Sequence, residues 1–187
     1  AVYGGIAERI APIDLSAMEY FRRVNYEMQC NWKIYVENYV EGYHLPHVHP
    51  GLSRALDYRS YHTELFEWHS LQSSPLRDSG VGYGAGEAFY YFIYPNVMLN
   101  ITPGRLQTNV ILPLGPDRCR VVFDYYYTRD QGTQSRIEGD QSFSDEVQGE
   151  DAGICEAVQK GLASGYYIPR RLNPKRDSGA WHFQNLI

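Results

Sequence analysis

From Tyr58 to Leu114 the pattern of the chain changes to period two, and few folds can absorb so many segments of that period. Tyr61, Thr63 and Leu65 alternate with His62, Glu64 and Phe66 up to Trp68, which predicts one strand. Residues 88–94 and 97–101 are aromatic and β-branched, with Pro95-Asn96 between them. Residues 107–114 and 119–127 flank Gly115-Pro116-Asp117, the turn of an antiparallel hairpin. Residues 70–86, rich in Ser, Gly and Pro, read as a loop. Four or five strands with no helix between them argue against βαβ units and for an antiparallel sheet.

Helical spacing flanks this block on both sides. Asn31 is a good N-cap, and Trp32, Val36, Tyr39, Val40 and Tyr43 recur at three- and four-residue steps, predicting a helix over 32–43. Gly42 and Pro46 are its stop signals. On such a helix Asn38, Glu41 and His44 share a face. Upstream, residues 1–13 have no clear period; Asp14 or Ser16 would cap a short helical turn, with Glu19 three residues after Ser16. Downstream, after a polar stretch over 131–145, Val147, Asp151, Ile154, Cys155, Val158 and Leu162 trace one stripe of a second helix that ends near Gly165. Asp151 interrupts that stripe, and a carboxylate turned to a core is costly unless a cation or strong donors meet it. Glu150 falls off the stripe. From Tyr166 the chain reads as a Pro/Arg loop closing on Trp181-His182-Phe183-Gln184, to which no element is assigned.

The chemistry concentrates in Asn38-Tyr39-Val40-Glu41-Gly42-Tyr43-His44-Leu45-Pro46-His47-Val48-His49-Pro50. His44 and His49 are five apart, a spacing that turns them away from each other on an unbroken helix; Pro46 breaks it and lets a loop bring His49 back. Two neutral imidazoles with a carboxylate from Asp151 would bind one face of an octahedral Fe(II) and leave positions open for dioxygen, water or substrate. Zinc accepts a similar set, which would make a hydrolase, and the bland alternative is a metal-free cavity whose histidines bond to carbonyls. His47 would point elsewhere. Tyr39 and Tyr43 read as core, and His62, His69 and His182 carry no assigned role.

Composition narrows the classes further. The 187 residues fit one domain, taken here as 1–187, with an ordinary 43% hydrophobic content. Seventeen Tyr would line a cavity that is apolar yet offers hydrogen bonds, or simply pack a sheet. A net charge of -5 argues against a nucleic-acid partner, and the short basic run at Arg170-Arg171 and Lys175-Arg176 reads as a solvated loop. Cys30, Cys119 and Cys155 are far apart and predict buried, reduced thiols in a cytoplasmic protein. No run is apolar enough for a membrane span and no leader pattern opens the chain. Its first and last residues are compatible with a piece of a longer protein.

Asn31-Trp32-Lys33, then Val36-Glu37-Asn38-Tyr39, then Glu41-Gly42-Tyr43-His44 with His49-Pro50 five residues on, resembles the catalytic domain of Rieske non-haem iron oxygenases, the ring-hydroxylating oxygenase alpha subunits. Glu150-Asp151 opening Cys155-Glu156-x-Val158-Gln159-x-Gly161-Leu162 resembles that family's downstream segment. The resemblance implies an α+β helix-grip fold of the START/SRPBCC-like kind: an antiparallel sheet wrapped around a long C-terminal helix. It implies Fe(II) held by His44, His49 and Asp151, with Glu41 bridging to a Rieske [2Fe-2S] cluster of a neighbouring subunit. It implies a homotrimer, a reductase or ferredoxin carrying electrons from NAD(P)H, and hydroxylation or oxidative demethylation of an aromatic or quaternary ammonium substrate with dioxygen. The family's bridging acid is most often Asp; Glu41 resembles the branch acting on quaternary ammonium compounds such as choline, betaine or carnitine. The Rieske motif, Cys-x-His with Cys-x-x-His, is missing from these residues, so the electron-delivering domain is expected elsewhere.

Overall fold

The computed structural model describes residues 3–77, 86–129, 134–168 and 171–187, with Gln134 described by its backbone alone. Among the described residues seven strands form one sheet in the order β1-β7-β6-β5-β4-β3-β2, every neighbouring pair antiparallel. They are β1 (Met18–Met28), β2 (His62–Leu65), β3 (His69–Leu76), β4 (Gly86–Ile93), β5 (Val97–Thr102), β6 (Arg105–Pro113) and β7 (Cys119–Thr128). The helices are α1 (Ile6–Ile10), α2 (Trp32–Val40), α3 (Leu45–Val48), α4 (Pro50–Ala55), α5 (Gln134–Ala163) and α6 (Ser178–Leu186). This is the expected α+β antiparallel architecture with a long helix after the sheet.

The strand period sorts side chains onto two faces. Phe92, Met98, Ile111, Val121, Phe123 and Tyr125 turn to the face covered by α2, α5 and α6, where they pack with Val36, Val40, Cys155 and Phe183. Leu76 and Ala88 on that face meet Leu45, Leu52 and Ala55 of α3 and α4, and Phe143 of α5. On the other face Leu71, Phe89, Tyr91, Ile93 and Ile101 are covered by Ile6 and Ile10 of α1. Cys30, Cys119 and Cys155 are free thiols buried in the first of these clusters. Among the described residues no helix is long and apolar enough to cross a membrane.

Sequence expectations need correction at several elements, and β1 and α6 answer to no expectation. Met18–Met28 is a strand, the edge partner of β7, preceded by a single turn over Leu15–Ala17 that Asp14 caps through the N–H of Ser16. Most of its side chains are exposed or half-buried, so no alternating apolar signal marked it. Residues 69–76, expected mostly as loop, form β3, whose Ser70, Gln72, Ser73 and Ser74 are all buried. A strand between two others with both faces covered pairs its backbone whatever its side chains, and small polar residues hid it. Trp32–Val40 keeps its Asn31 cap but stops three residues early, so Glu41 lies outside the helix in extended conformation. The long helix begins at Gln134, within the stretch expected to be only polar, and Ser178–Leu186 adds a helix to the tail. Residues 78–85 of the expected loop, 131–133 of the polar stretch, and Arg170 lie outside the described residues.

The stripe on α5 is corrected too. Ile154, Val158 and Leu162 are exposed, at 36%, 44% and 39%, whereas Asp140, Ser144, Gln148 and Cys155 are buried. The inward face is therefore largely polar where it passes over the sheet, and Asp151, half-buried, sits on that polar row rather than on an apolar one.

The docking of α6 yields a test. A Cβ on Gly179 would collide with the carbonyl oxygen of Val40 at the end of α2, whereas one on Gly153 of α5 would meet nothing. Gly179→Ala is expected to destabilise the fold by about 2–4 kcal/mol, and Gly153→Ala to stabilise it by about 0.5–1 kcal/mol. Urea denaturation of both variants checks this; equal effects would contradict the packing of α6 on α2.

Candidate metal centre

Local chain geometry brings the histidines together. After Val40 the backbone extends at Glu41 (φ -120, ψ 140), and the Glu41 carboxylate accepts hydrogen bonds from the N–H groups of Tyr43 and His44. That contact orders the turn leading into the short helix α3, which has Pro46 in its first turn, where proline costs nothing. Pro46 thus begins a new turn instead of only ending an old one. His49 lies between α3 and α4 in a non-helical conformation (φ -115, ψ 78), which folds its ring back toward His44. The result is an edge-to-face pair with ring centroids 4.9 Å apart.

Both Nε2 atoms point into one cavity and meet Asp151 from α5. His44 Nε2 and His49 Nε2 are 3.1 Å apart, His49 Nε2 is 3.0 Å from Asp151 Oδ1, and His44 Nε2 is 3.7 Å from the same oxygen. One ligand atom from each residue lies within 4.8 Å of the others. The outer nitrogens are held by carboxylates. His44 Nδ1 donates to Glu41 Oε1 at 2.6 Å, and His49 Nδ1 donates to Glu150 Oε2 at 2.6 Å. Asn38 Nδ2 donates to Asp151 Oδ1 at 2.7 Å. His49 is 1% exposed.

This donor set fits a cation. With both Nδ1 atoms engaged as donors, the inner Nε2 atoms carry lone pairs, and these face each other and a carboxylate oxygen. Three electron-rich atoms so close need a positive charge among them, either a metal ion or a proton. Burial, the largest single influence on His49, pulls its pKa down; the hydrogen bonds and charges of Asp151 and Glu150 outweigh it, and the net shift is upward.

The structure brings Glu41, His44, His49 and Asp151 into one cluster. His47 is exposed and packs near Tyr43, which is itself exposed and not core. The face-sharing argument for Glu41 and His44 does not hold, because Glu41 is off the helix; the two meet through the turn instead. Sequence reasoning passed over Glu150. Its signal was its place beside Asp151: consecutive helical residues point about a quarter-turn apart, so both can reach a ligand lying along the helix edge.

The cavity is lined by Tyr35, Tyr39, Tyr61 and Tyr90 as well as by the cluster, with about 100 Å³ within reach of the centre of a water-sized sphere. Burial raises the phenols of Tyr35, Tyr39 and Tyr61, so they stay neutral. Tyr39, read from sequence as core, also donates to Asn100 Oδ1 at 2.7 Å across the cavity wall.

The sheet over a long helix, with a His/His/carboxylate cluster in the cavity between them, defines an α+β domain of the helix-grip kind. The family profile described as "Ring hydroxylating alpha subunit (catalytic domain)" matches residues 15–187, and the chain belongs to that family. It is similar to choline monooxygenase of Arabidopsis thaliana, 40% identical over 158 residues, covering 81% of this chain and 37% of that protein. It is also similar to the carnitine monooxygenase oxygenase subunit of Escherichia coli K12, 31% identical over 172 residues, covering 84% and 46%. The chain thus spans less than half the length of these relatives. Among solved structures, a quaternary ammonium Rieske monooxygenase described for carnitine oxidation matches with a TM-score of 0.84 at 23% identity, over 98% of this chain and 54% of its own. Dicamba monooxygenase bound to 3,6-dichlorosalicylic acid matches with a TM-score of 0.68 at 17% identity, over 95% and 59%. These two likenesses concern the fold.

In the chain stripped of metal, His49 is expected to titrate above the ordinary histidine value, and Glu150→Gln to lower that value. The raised value makes this contact stabilising at low pH, with the contribution fading as pH rises through the His49 pKa. NMR titration of the imidazole checks both; a His49 that titrates unchanged in Glu150→Gln would contradict the contact.

Proposed function

We propose that this chain is the iron-binding catalytic domain of a Rieske-type monooxygenase acting on a quaternary ammonium substrate, with Fe(II) held by His44, His49 and Asp151. The observation that carries this reading is the convergence of two Nε2 atoms and one carboxylate oxygen inside a single cavity. Two imidazoles and one carboxylate, with open positions toward the cavity, are the donor set of non-haem iron oxygenases. The metal-free alternative required histidines too far apart to share an ion and Asp151 paired with Arg or Lys; the Nε2 atoms are 3.1 Å apart, and Asp151 meets Asn38 and the imidazoles. Nothing in the relatives supports the zinc hydrolase.

Bound Fe(II) would supply dioxygen activation for insertion of oxygen into a C–H bond of the substrate. The chain's own residues prepare that site. Glu41 and Glu150 hold the two Nδ1–H groups, which fixes both tautomers and aims both Nε2 lone pairs inward. Asn38 restrains Asp151 from turning away. Tyr35, Tyr39, Tyr61 and Tyr90 line the cavity, and aromatic rings there would suit a methylated ammonium that cannot accept or donate a strong hydrogen bond. Glu41 is 19% exposed at its side chain and reaches the surface beside His44, which suits it as the bridge to a Rieske [2Fe-2S] cluster. In this reading that cluster belongs to a domain outside residues 15–187, brought close by a neighbouring subunit of a homotrimer. Its electrons come from NAD(P)H through a reductase or ferredoxin.

His44→Ala or Asp151→Ala is expected to abolish stoichiometric Fe(II) binding, measured by metal analysis after anaerobic loading and desalting. Glu150→Gln is expected to weaken it about 10- to 100-fold. Glu41→Gln, in an enzyme carrying its Rieske domain, should keep its iron and lose coupled turnover. Normal turnover in that variant would refute the bridging role, and full iron retention in both alanine variants would refute the centre.

A further inference from the structure

Hydroxyl groups form a chain between the protein surface and the wall of the metal cavity. At the outer end Asp145 of α5 keeps half of its side chain in water and accepts from the Tyr26 hydroxyl of β1 at 2.5 Å. The Tyr26 hydroxyl also interacts with that of Tyr125 on β7. Tyr125 is fully buried and shares a hydrogen bond of 2.9 Å with Ser144 Oγ. Ser144 lines the same cavity as His44, His49 and Asp151. Arg22 lies over the Tyr125 ring, 5.6 Å from its centre, and meets Asp145 Oδ2 at 3.6 Å, which holds the carboxylate at the mouth of the chain.

The chemistry of these groups suits the movement of protons. A hydroxyl both donates and accepts, so it can take a proton on one side while giving up its own on the other. Burial holds the Tyr26 and Tyr125 phenols above their ordinary pKa, with Asp145 adding to the effect on Tyr26, so both stay protonated. Neighbouring polar contacts lack this continuity. Tyr127 ends on Asp140, whose carboxylate is buried and bound to Arg105. Tyr35 ends on the amide oxygen of Gln148, which only accepts.

Insertion of one oxygen atom of dioxygen into a C–H bond consumes two electrons and two protons and releases the other atom as water. We propose that Asp145, Tyr26, Tyr125 and Ser144 form a relay that carries those protons from solvent into the cavity. This rests on the monooxygenase reading above and adds the route of its protons. Asp145 takes a proton from solvent and gives it to the Tyr26 oxygen. Tyr26 passes its own proton to Tyr125, Tyr125 to Ser144, and Ser144 releases its proton into the cavity. Each step breaks one O–H bond and forms another, and no electron changes place. The end state has Tyr26 donating to the Asp145 carboxylate, which is the arrangement in the structure, and rotation of the hydroxyls resets it.

Two measurements test the relay. The first uses the metal-free chain with isotope-labelled tyrosine, and NMR reads how fast the Tyr125 hydroxyl exchanges its proton with solvent. In a Ser144→Ala background, which closes the cavity end, Tyr26→Phe is expected to slow that exchange about tenfold or more. The second uses the enzyme carrying its Rieske domain. Tyr26→Phe and Tyr125→Phe are each expected to lower kcat about tenfold, keep KM and iron content, and raise the solvent deuterium isotope effect. Tyr127→Phe, which removes a buried hydroxyl off the relay, is expected to leave that isotope effect as it is. Unchanged Tyr125 exchange, or unchanged kcat and isotope effect in the relay variants, overturns the proposal and means that protons enter by the cavity mouth. If Tyr125→Phe fails to fold, Tyr26→Phe decides the matter. An unaltered enzyme that oxidises no quaternary ammonium compound sinks the functional reading, while the exchange measurement still shows whether these hydroxyls pass protons.

Discussion

Three electron-rich atoms aimed at one another are the constraint around which the molecule is arranged. His44 Nε2, His49 Nε2 and Asp151 Oδ1 stand within hydrogen-bonding distance or a little beyond, yet none of the three is naturally the donor once both Nδ1 atoms are spoken for. Such an arrangement repels itself unless a cation sits among its members. It persists because each member is held by a further residue: His44 by Glu41, His49 by Glu150, Asp151 by Asn38. The supporting groups come from α2, from the turn after it and from α5, so the site exists only when both helices are seated on the sheet.

The sheet explains how those helices stay seated around a polar interior. Its covered face is apolar where α2 and α6 lie on it, with Phe92, Met98, Phe123 and Phe183 in contact. Over the cavity the same face turns polar, and the facing side of α5 answers with Asp140, Ser144 and Gln148, each hydrogen-bonded: Asp140 to Tyr127, Ser144 to Tyr125, Gln148 to Tyr35. Buried polar groups paired in this way specify one arrangement, because any slip of α5 by a residue would leave several of them unmatched. Tyrosine is what makes this possible in quantity. It fills volume like phenylalanine and still offers one hydrogen bond at its tip.

How much of this was legible in the sequence follows from the physical origin of each signal. The strands that bury an apolar face announced themselves: β4 to β7 sit within a residue or two of where alternation placed them. β1 and β3 did not, since one is an edge strand with most side chains in water and the other buries serine and glutamine. The convergence of His44, His49 and Asp151 was legible because their setting is unusual, three histidines and an acid in one short stretch and a carboxylate on a buried helix face. The inference reached Asp151 through a stripe that is only partly real; Ile154, Val158 and Leu162 are exposed, and what buries Asp151 is the cavity. Glu150 left only a faint signal, its place beside Asp151, because composition does not say which of many polar residues will meet a histidine.

Membership in the ring-hydroxylating alpha-subunit family and the geometry of the cluster thus point to the same chemistry by separate routes. The central claim is that His44, His49 and Asp151 form one iron site, and crystallography at the iron absorption edge addresses it most directly. Crystals of the chain loaded anaerobically with Fe(II) are predicted to show a single anomalous peak within bonding distance of both Nε2 atoms and an Asp151 carboxylate oxygen. A peak elsewhere, or a cluster that keeps its His44–His49 contact in saturating Fe(II) with no peak between the rings, would contradict the account.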